Sequence, residues 1–148
     1  MKKYWIVVAN ASELKIFGSD DLHQVAHDLE FITELKHPES RMKGHDLEMD
    51  RPGRYRTHES GGSAYQSTTD IKEVAKIHFA EEINTLLVHA KNEGKYKKLV
   101  IIAPDHVYGI LKTHFNHLVN DSIHLVIQKD YTSFTTDELA KMITKEVI

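Results

Sequence analysis

The chain has 148 residues and no cysteine, which fits one domain and excludes a disulfide framework, a thiol nucleophile and a thiolate metal site. An apolar fraction of 41% is enough for a real core and argues against wholesale disorder. The formal net charge of −3 argues against a nucleic-acid binder held by bulk charge, though a local basic patch is compatible with it.

Lys2-Lys3 followed by Tyr4–Ala9 imitates a signal peptide, with an A-x-A site at Ala9 and Ala11. The apolar run is shorter than the usual hydrophobic region of about 7–15 residues. Its Tyr, Trp, Ile and Val favour a strand, and apolar residues on both faces predict a central strand covered on both sides. No segment approaches the roughly 18 continuous apolar residues of a membrane span, so no membrane insertion and a cytoplasmic location are expected. Asn10-Ala11-Ser12 predicts a tight turn. Leu14-Lys15-Ile16-Phe17 predicts a second strand, ended by Gly18-Ser19-Asp20-Asp21. A third strand is expected over residues 29–35, with Leu29, Phe31, Thr33 and Leu35 on one face, and His37-Pro38 ends it. From about 39 to 69 the apolar pattern disappears. A loop of about 30 residues inside a compact domain is usually functional or disordered.

Asp70, with Glu73 three positions on, has the spacing of a capping box. Ile71, Val74, Ile77 (or His78), Ala80, Ile83, Leu86, Leu87 and Ala90 then recur at helical spacing, and Asn92-Glu93-Gly94 stops the helix. Residues 98–103 read as a strand buried on both faces. Pro104-Asp105, with Asp105 as its cap, leads into a second helix whose stripe is Val107, Ile110, Leu111, Phe115, Leu118 and Val119. Residues 123–127 form a fifth strand, and Thr135 or Thr136 caps a last helix with Leu139, Met142, Ile143 and Val147 on one face. A βββ meander followed by αβαβα predicts one α/β domain over residues 1–148, with a mixed sheet and helices on its faces in three layers. That is the order of the ribonuclease H-like architecture and of the middle domain of archaeal and eukaryotic peptide release factors.

A ribonuclease H-type nuclease needs clustered carboxylates to hold two metal ions about 3.5–4 Å apart. Asn10, Glu73 and Asp105 make too thin a set, and no metal or cofactor is expected. Eleven histidines are many for this length. His23/His27 and His114/His117 have spacings that bind zinc only if each pair lies on one helix with a third ligand beside it. His58, in the long loop, is the one histidine with the setting of a general base, yet no nucleophile is forced near it and no G-x-S-x-G is present. In the same loop Arg51, Arg54 and Arg56 surround Tyr55, a combination suited to phosphate and base contacts. Gly61-Gly62 lets a backbone pass close to a ligand. Asp46, Glu48, Asp50 and Glu59 largely cancel the charge, and a solvated excursion is the bland alternative. Lys91, Lys95, Lys97 and Lys98 read as favourable charge at a helix C-terminus plus a soluble turn.

Several runs together resemble the bacterial host attachment protein family, the protein required for attachment to host cells. They are residues 5–9, His37-Pro38-Glu39 with Arg41, Asp46-Leu47, Asp50-Arg51-Pro52-Gly53-Arg54, Phe79-Ala80, residues 99–104 and Lys129-Asp130-Tyr131-Thr132. That family is in turn similar to the release-factor middle domain, in which a glycine-rich loop carrying Gly-Gly-Gln precedes a long helix and enters the peptidyl-transferase centre. Gly61 and Gly62 match that place; Ser63 follows where the glutamine would stand, with Gln66 further on, which argues against peptidyl-tRNA hydrolysis. Release-factor relatives without the tripeptide act in ribosome rescue without hydrolysis. The resemblance therefore implies a non-catalytic module associated with the ribosome, tRNA or other RNA through residues 51–62. The alternatives are a protein-interaction module using residues 39–69, indirectly required for attachment, and a hydrolase using His58.

Overall fold

The computed structural model describes residues 1–37 and 68–147. Strands β1 (Tyr4–Ala9), β2 (Glu13–Ser19), β3 (Glu30–Lys36), β4 (Lys98–Ile102) and β5 (Ile123–Ile127) form a mixed sheet of order β3-β2-β1-β4-β5. β1 pairs antiparallel with β2 and parallel with β4, and β5 runs parallel to β4. The helices are a short α1 (Val25–Asp28) after a single 3-10 turn, a long α2 (Thr68–Asn92), α3 (Asp105–His114), α4 (His117–Ser122) and α5 (Thr136–Val147).

The pleat divides each central strand between two cores. Trp5, Val7 and Ala9 of β1, with Leu99 and Ile101 of β4, meet Phe79, Ile83 and Leu87 of α2 and Leu111, Phe115 and Val119 of α3 and α4. Ile6, Val8, Val100 and Ile102 face the other way, onto Val25 of α1 and Leu139, Ala140 and Ile143 of α5. The predicted α/β mixed sheet with helices on both faces is therefore the fold of the described residues. The run that imitates a signal peptide is its central strand.

Five local expectations need correction. Gly18 lies inside β2, paired with Trp5 and Glu30, and does not end it. A Cβ there would lie 2.7 Å from Lys2 Cγ and 2.9 Å from Ile32 Cδ1, so those side chains pack onto the bare glycine backbone and would have to shift for a larger residue. β3 does not keep one apolar face. Thr33 and Leu35 pair with Ile16 and Leu14, but Phe31 pairs with Phe17, leaving Ile32 as an extra residue. This bulge turns Phe31 to the opposite face, where it meets Phe17 edge-on and stays 51% exposed.

The buried stripe of α2 steps through Ile71, Ala75, Phe79, Ile83, Leu87 and Ala90, while Val74 is 48% exposed. Asp70 lies inside α2 rather than capping it. The predicted second helix is two helices. α3 stops at Phe115, and the Asn116 side chain accepts the amide of Val119 at 3.1 Å to begin α4.

The remaining helix ends follow their predicted signals. Gly94, with φ of 71°, closes α2 in the left-handed conformation, and the amide of Lys95 bonds back to Ala90. Thr135 and Glu138 form a reciprocal capping box at 3.1 and 2.9 Å. No helix among the described residues is long and apolar enough to cross a membrane.

The corrected stripe predicts opposite fates for two neighbours on α2. Ile83→Ala empties a fully buried site and should lower unfolding free energy by about 2–5 kcal/mol. Val74→Ala should stay within about 0.5 kcal/mol. Urea unfolding of both variants distinguishes this stripe from the one anticipated through Val74.

Candidate functional site

The carboxyl ends of β1 and β4 are where chain turns and loop roots converge. Asn10 organises the β1–β2 turn. Its Oδ1 accepts the amides of Ser12 and Glu13 at 2.9 and 3.0 Å, and its Nδ2 donates to Thr132 Oγ1 at 2.9 Å. Thr132, buried, donates through Oγ1 to Asp130 at 2.6 Å, and its carbonyl accepts Lys15 Nζ at 2.7 Å. This network ties the first turn of the chain to the link between β5 and α5. Beside it, Asn10, Ser12, Glu13, Pro104, Val107 and Asp130 line an open crevice of about 400 Å³. Open α/β sheets offer ligand sites in such places, at the carboxyl ends of their strands.

The roots of the loop stand on this rim. The His37 amide donates to the Ser12 carbonyl at 2.7 Å, and its ring stacks on Phe79 of α2 with centroids 5.3 Å apart. His37 and Phe79 belong to two of the separate runs that carry the family resemblance, and the fold brings them into contact. Near the start of α2, Glu73 meets Lys76 at 3.2 Å and His106 of α3 at 3.3 Å. The Lys76 ammonium, and then the His106 ring, hold the Glu73 carboxyl below its ordinary range. Glu73 thus links two helices and is not a capping-box partner for Asp70.

Asp105 is likewise not a cap. It is the first residue of α3, whose N-cap is Pro104, and it accepts Gln128 Nε2 at 2.8 Å. Among the described residues no three histidine or carboxylate groups converge to hold a metal ion. The zinc spacings fail for a geometric reason. His23 lies in the 3-10 turn and His27 in α1, while His114 ends α3 and His117 begins α4, so neither pair shares a helix.

Several histidines instead meet glutamates of α2. His37 is 3.7 Å from Glu82, His106 is 3.3 Å from Glu73, and His114 is 3.9 Å from Glu81. Sequence reasoning missed these contacts, because the partners lie on different elements and no local spacing announces them.

Arg51, Arg54, Tyr55, Arg56, His58, Gly61 and Gly62 lie outside the described residues, as does most of the 39–69 loop.

Comparison with known proteins adds a family and two structural likenesses. The family described as protein required for attachment to host cells matches residues 5–143. No curated protein matches the sequence. Among solved structures, an archaeal translation termination factor is similar over 97% of this chain and 37% of its own length, at 11% identity and a TM-score of 0.49. A second chain, described as an archaeal protein, is similar over 97% of this chain and 36% of its own, at 11% identity and a TM-score of 0.43. This chain spans little more than a third of either.

Two outcomes test the rim. Asn10→Ala removes four side-chain hydrogen bonds at once and should cost about 1–3 kcal/mol, measured by denaturant unfolding. Glu73→Gln should destabilise the protein at neutral pH. Because the folded state depresses this carboxyl, its contribution is present above the ordinary value of 4.5 and lost as pH falls through the lowered one. The wild-type and variant melting temperatures should therefore converge in acid.

Proposed function

The chain belongs to the family of proteins required for attachment to host cells, and we propose that it acts there as a non-catalytic, cytoplasmic RNA- or ribosome-associated module working through residues 51–62. The observation that carries this reading is the run Arg51-Pro52-Gly53-Arg54-Tyr55-Arg56, which sets three guanidinium groups and an aromatic ring within six positions. Guanidinium groups bond phosphate in a planar fork, and tyrosine offers a face to an unstacked base. Gly61-Gly62, a few residues on, permits close backbone approach to a ligand.

The described residues support this reading through the loop's roots. His37 is hydrogen-bonded to Ser12 and stacked on Phe79, and Glu73 near the start of α2 is pinned to α3. Ser63 in place of glutamine after the glycine pair supports a binding role rather than peptidyl-tRNA hydrolysis.

Sedimentation of cell extract at low salt, with and without nuclease, tests the reading. The protein should travel with ribosomes or structured RNA and be released by nuclease or by raised salt. The triple variant R51A/R54A/R56A should lose most of the sedimenting fraction. Absence from the ribosomal fraction at low salt would overturn the reading. A nuclease-resistant pull-down that requires residues 39–69 would replace it with a protein partner.

A further inference from the structure

The amino end of the sheet gathers lysines that are far apart in sequence. The Lys3 carbonyl accepts the amides of both Lys97 and Lys98, at 3.0 and 2.9 Å, and the Lys2 amide donates to the Lys95 carbonyl at 3.2 Å. Lys91 Nζ reaches the Lys97 carbonyl at 3.0 Å from the last turn of α2. Six lysines from three segments thus meet at one edge.

The carboxylates near them are already engaged. Asp20 pairs with Lys2 and accepts the Lys3 amide, Glu30 pairs with Lys2, and Glu93 pairs with Lys95. Asp28 accepts Ser19 Oγ and the Asp20 amide, and Asp21 accepts the His23 amide. Lys91 is held over the buried Tyr96 ring. No carboxylate among the described residues pairs with Lys3, Lys97 or Lys98, and all three are exposed. Asp121, two residues before β5, bounds the patch on that side.

A second, independent feature lies beside these lysines. Leu99 pairs with Ile123 and Val100 with Leu125, so His124 is the extra residue of a bulge in β5. The exposed imidazole meets the Tyr4 ring from across β4, with centroids 5.5 Å apart. Tyr4 is in register with Lys98, and Lys3 Nζ lies 5.4 Å from the Tyr4 ring centre. Bulges re-aim side chains, and this one builds a partly open aromatic pair at the edge of a cationic patch.

We infer that this end of the sheet is a second RNA surface, where Lys3, Lys97 and Lys98 take the phosphates of a single strand and the Tyr4–His124 pair takes a base. Ammonium groups contact phosphate without demanding one geometry, and bases stack on aromatic faces whatever their sequence. A lipid headgroup would use the same charge but has no flat ring to stack, which is why the ring pair favours a nucleic-acid strand. The inference shares with the proposed function the idea of an RNA-associated protein but rests on different residues, at the end of the sheet away from Asn10 and His37.

The test uses the full chain, a short labelled oligouridylate and fluorescence anisotropy over a salt series. K3Q/K97Q/K98Q should flatten the plot of log affinity against log salt by about two, since each single-strand phosphate contact contributes about 0.7. H124A should weaken binding with the salt slope unchanged. Thermal melting confirms that these exposed substitutions leave the fold intact.

A wild-type salt slope in the lysine variant would overturn the inference, as would binding of phosphatidylglycerol vesicles without binding of the oligonucleotide. R51A/R54A/R56A separates the two surfaces. Loss of ribosome sedimentation in that variant alone, with lysine-dependent oligonucleotide binding intact, supports both. Lysine-dependent binding in a protein that never sediments with ribosomes supports this surface and removes the loop reading.

Discussion

Two adjacent parallel strands buried on both faces set the rest of the structure. Residues 5–9 of β1 and 99–102 of β4 are nearly solvent-free on both sides. Each buried Val, Leu or Ile contributes about 1.5–3 kcal/mol only while helices cover it. A single layer would leave half of each strand wet, so α2, α3 and α4 cover one face and α1 and α5 the other. Helices on the faces leave the two ends of the sheet for polar groups. The carboxyl end receives the Asn10 turn, the loop roots and the start of α3; the amino end receives the lysines.

Much of this order was legible because it is local. Runs apolar on both faces announced β1 and β4, and a threonine at 135 or 136 announced the start of α5 through a cap that needs no tertiary partner. What failed depends on single residues inserted into a ladder or a helix. Ile32 is one residue too many for its strand pair, and an alternation pattern has no means of signalling a slip that only the partner strand defines. The break at Asn116 was hidden because Phe115, Leu118 and Val119 keep a plausible helical stripe across it, although two short helices carry it. Val74 fails differently. The buried stripe runs through Ala75, one position on, and leaves Val74 48% exposed.

The site was legible in a more selective way. The residues that carry the family resemblance and lie in the described part are largely scaffold. His37 stacks on Phe79, and Asp130 holds Thr132, which receives Asn10. They fix the rim without supplying a nucleophile or a metal ligand. The ligand chemistry we propose rests instead on the Arg51–Gly62 stretch of the sequence. The histidine surplus, which read as candidate chemistry, is partly the side of α2 meeting β3 and α3 through glutamates. The lysine cluster read as a helix-terminal charge effect because Lys2 and Lys3 lie some ninety positions away from it in the sequence.

Net charge was the least informative number, for a reason the fold makes concrete. Residues 38–67 hold Glu39, Asp46, Glu48, Asp50 and Glu59 against Arg41, Lys43, Arg51, Arg54 and Arg56, so they contribute nothing to the total of −3. The excess of acid must therefore come from the rest of the chain, even though the amino end of the sheet is itself cationic. Glu73, Glu81 and Glu82 on α2, and Asp137, Glu138 and Glu146 on α5, supply much of it. At physiological ionic strength charges are screened over about 8 Å. A phosphate arriving at Lys3, Lys97 and Lys98 responds chiefly to those three and to the carboxylates beside them, three of which are already paired. A chain that is acidic in sum can thus present a surface that attracts anions, provided the fold sorts its charges by end.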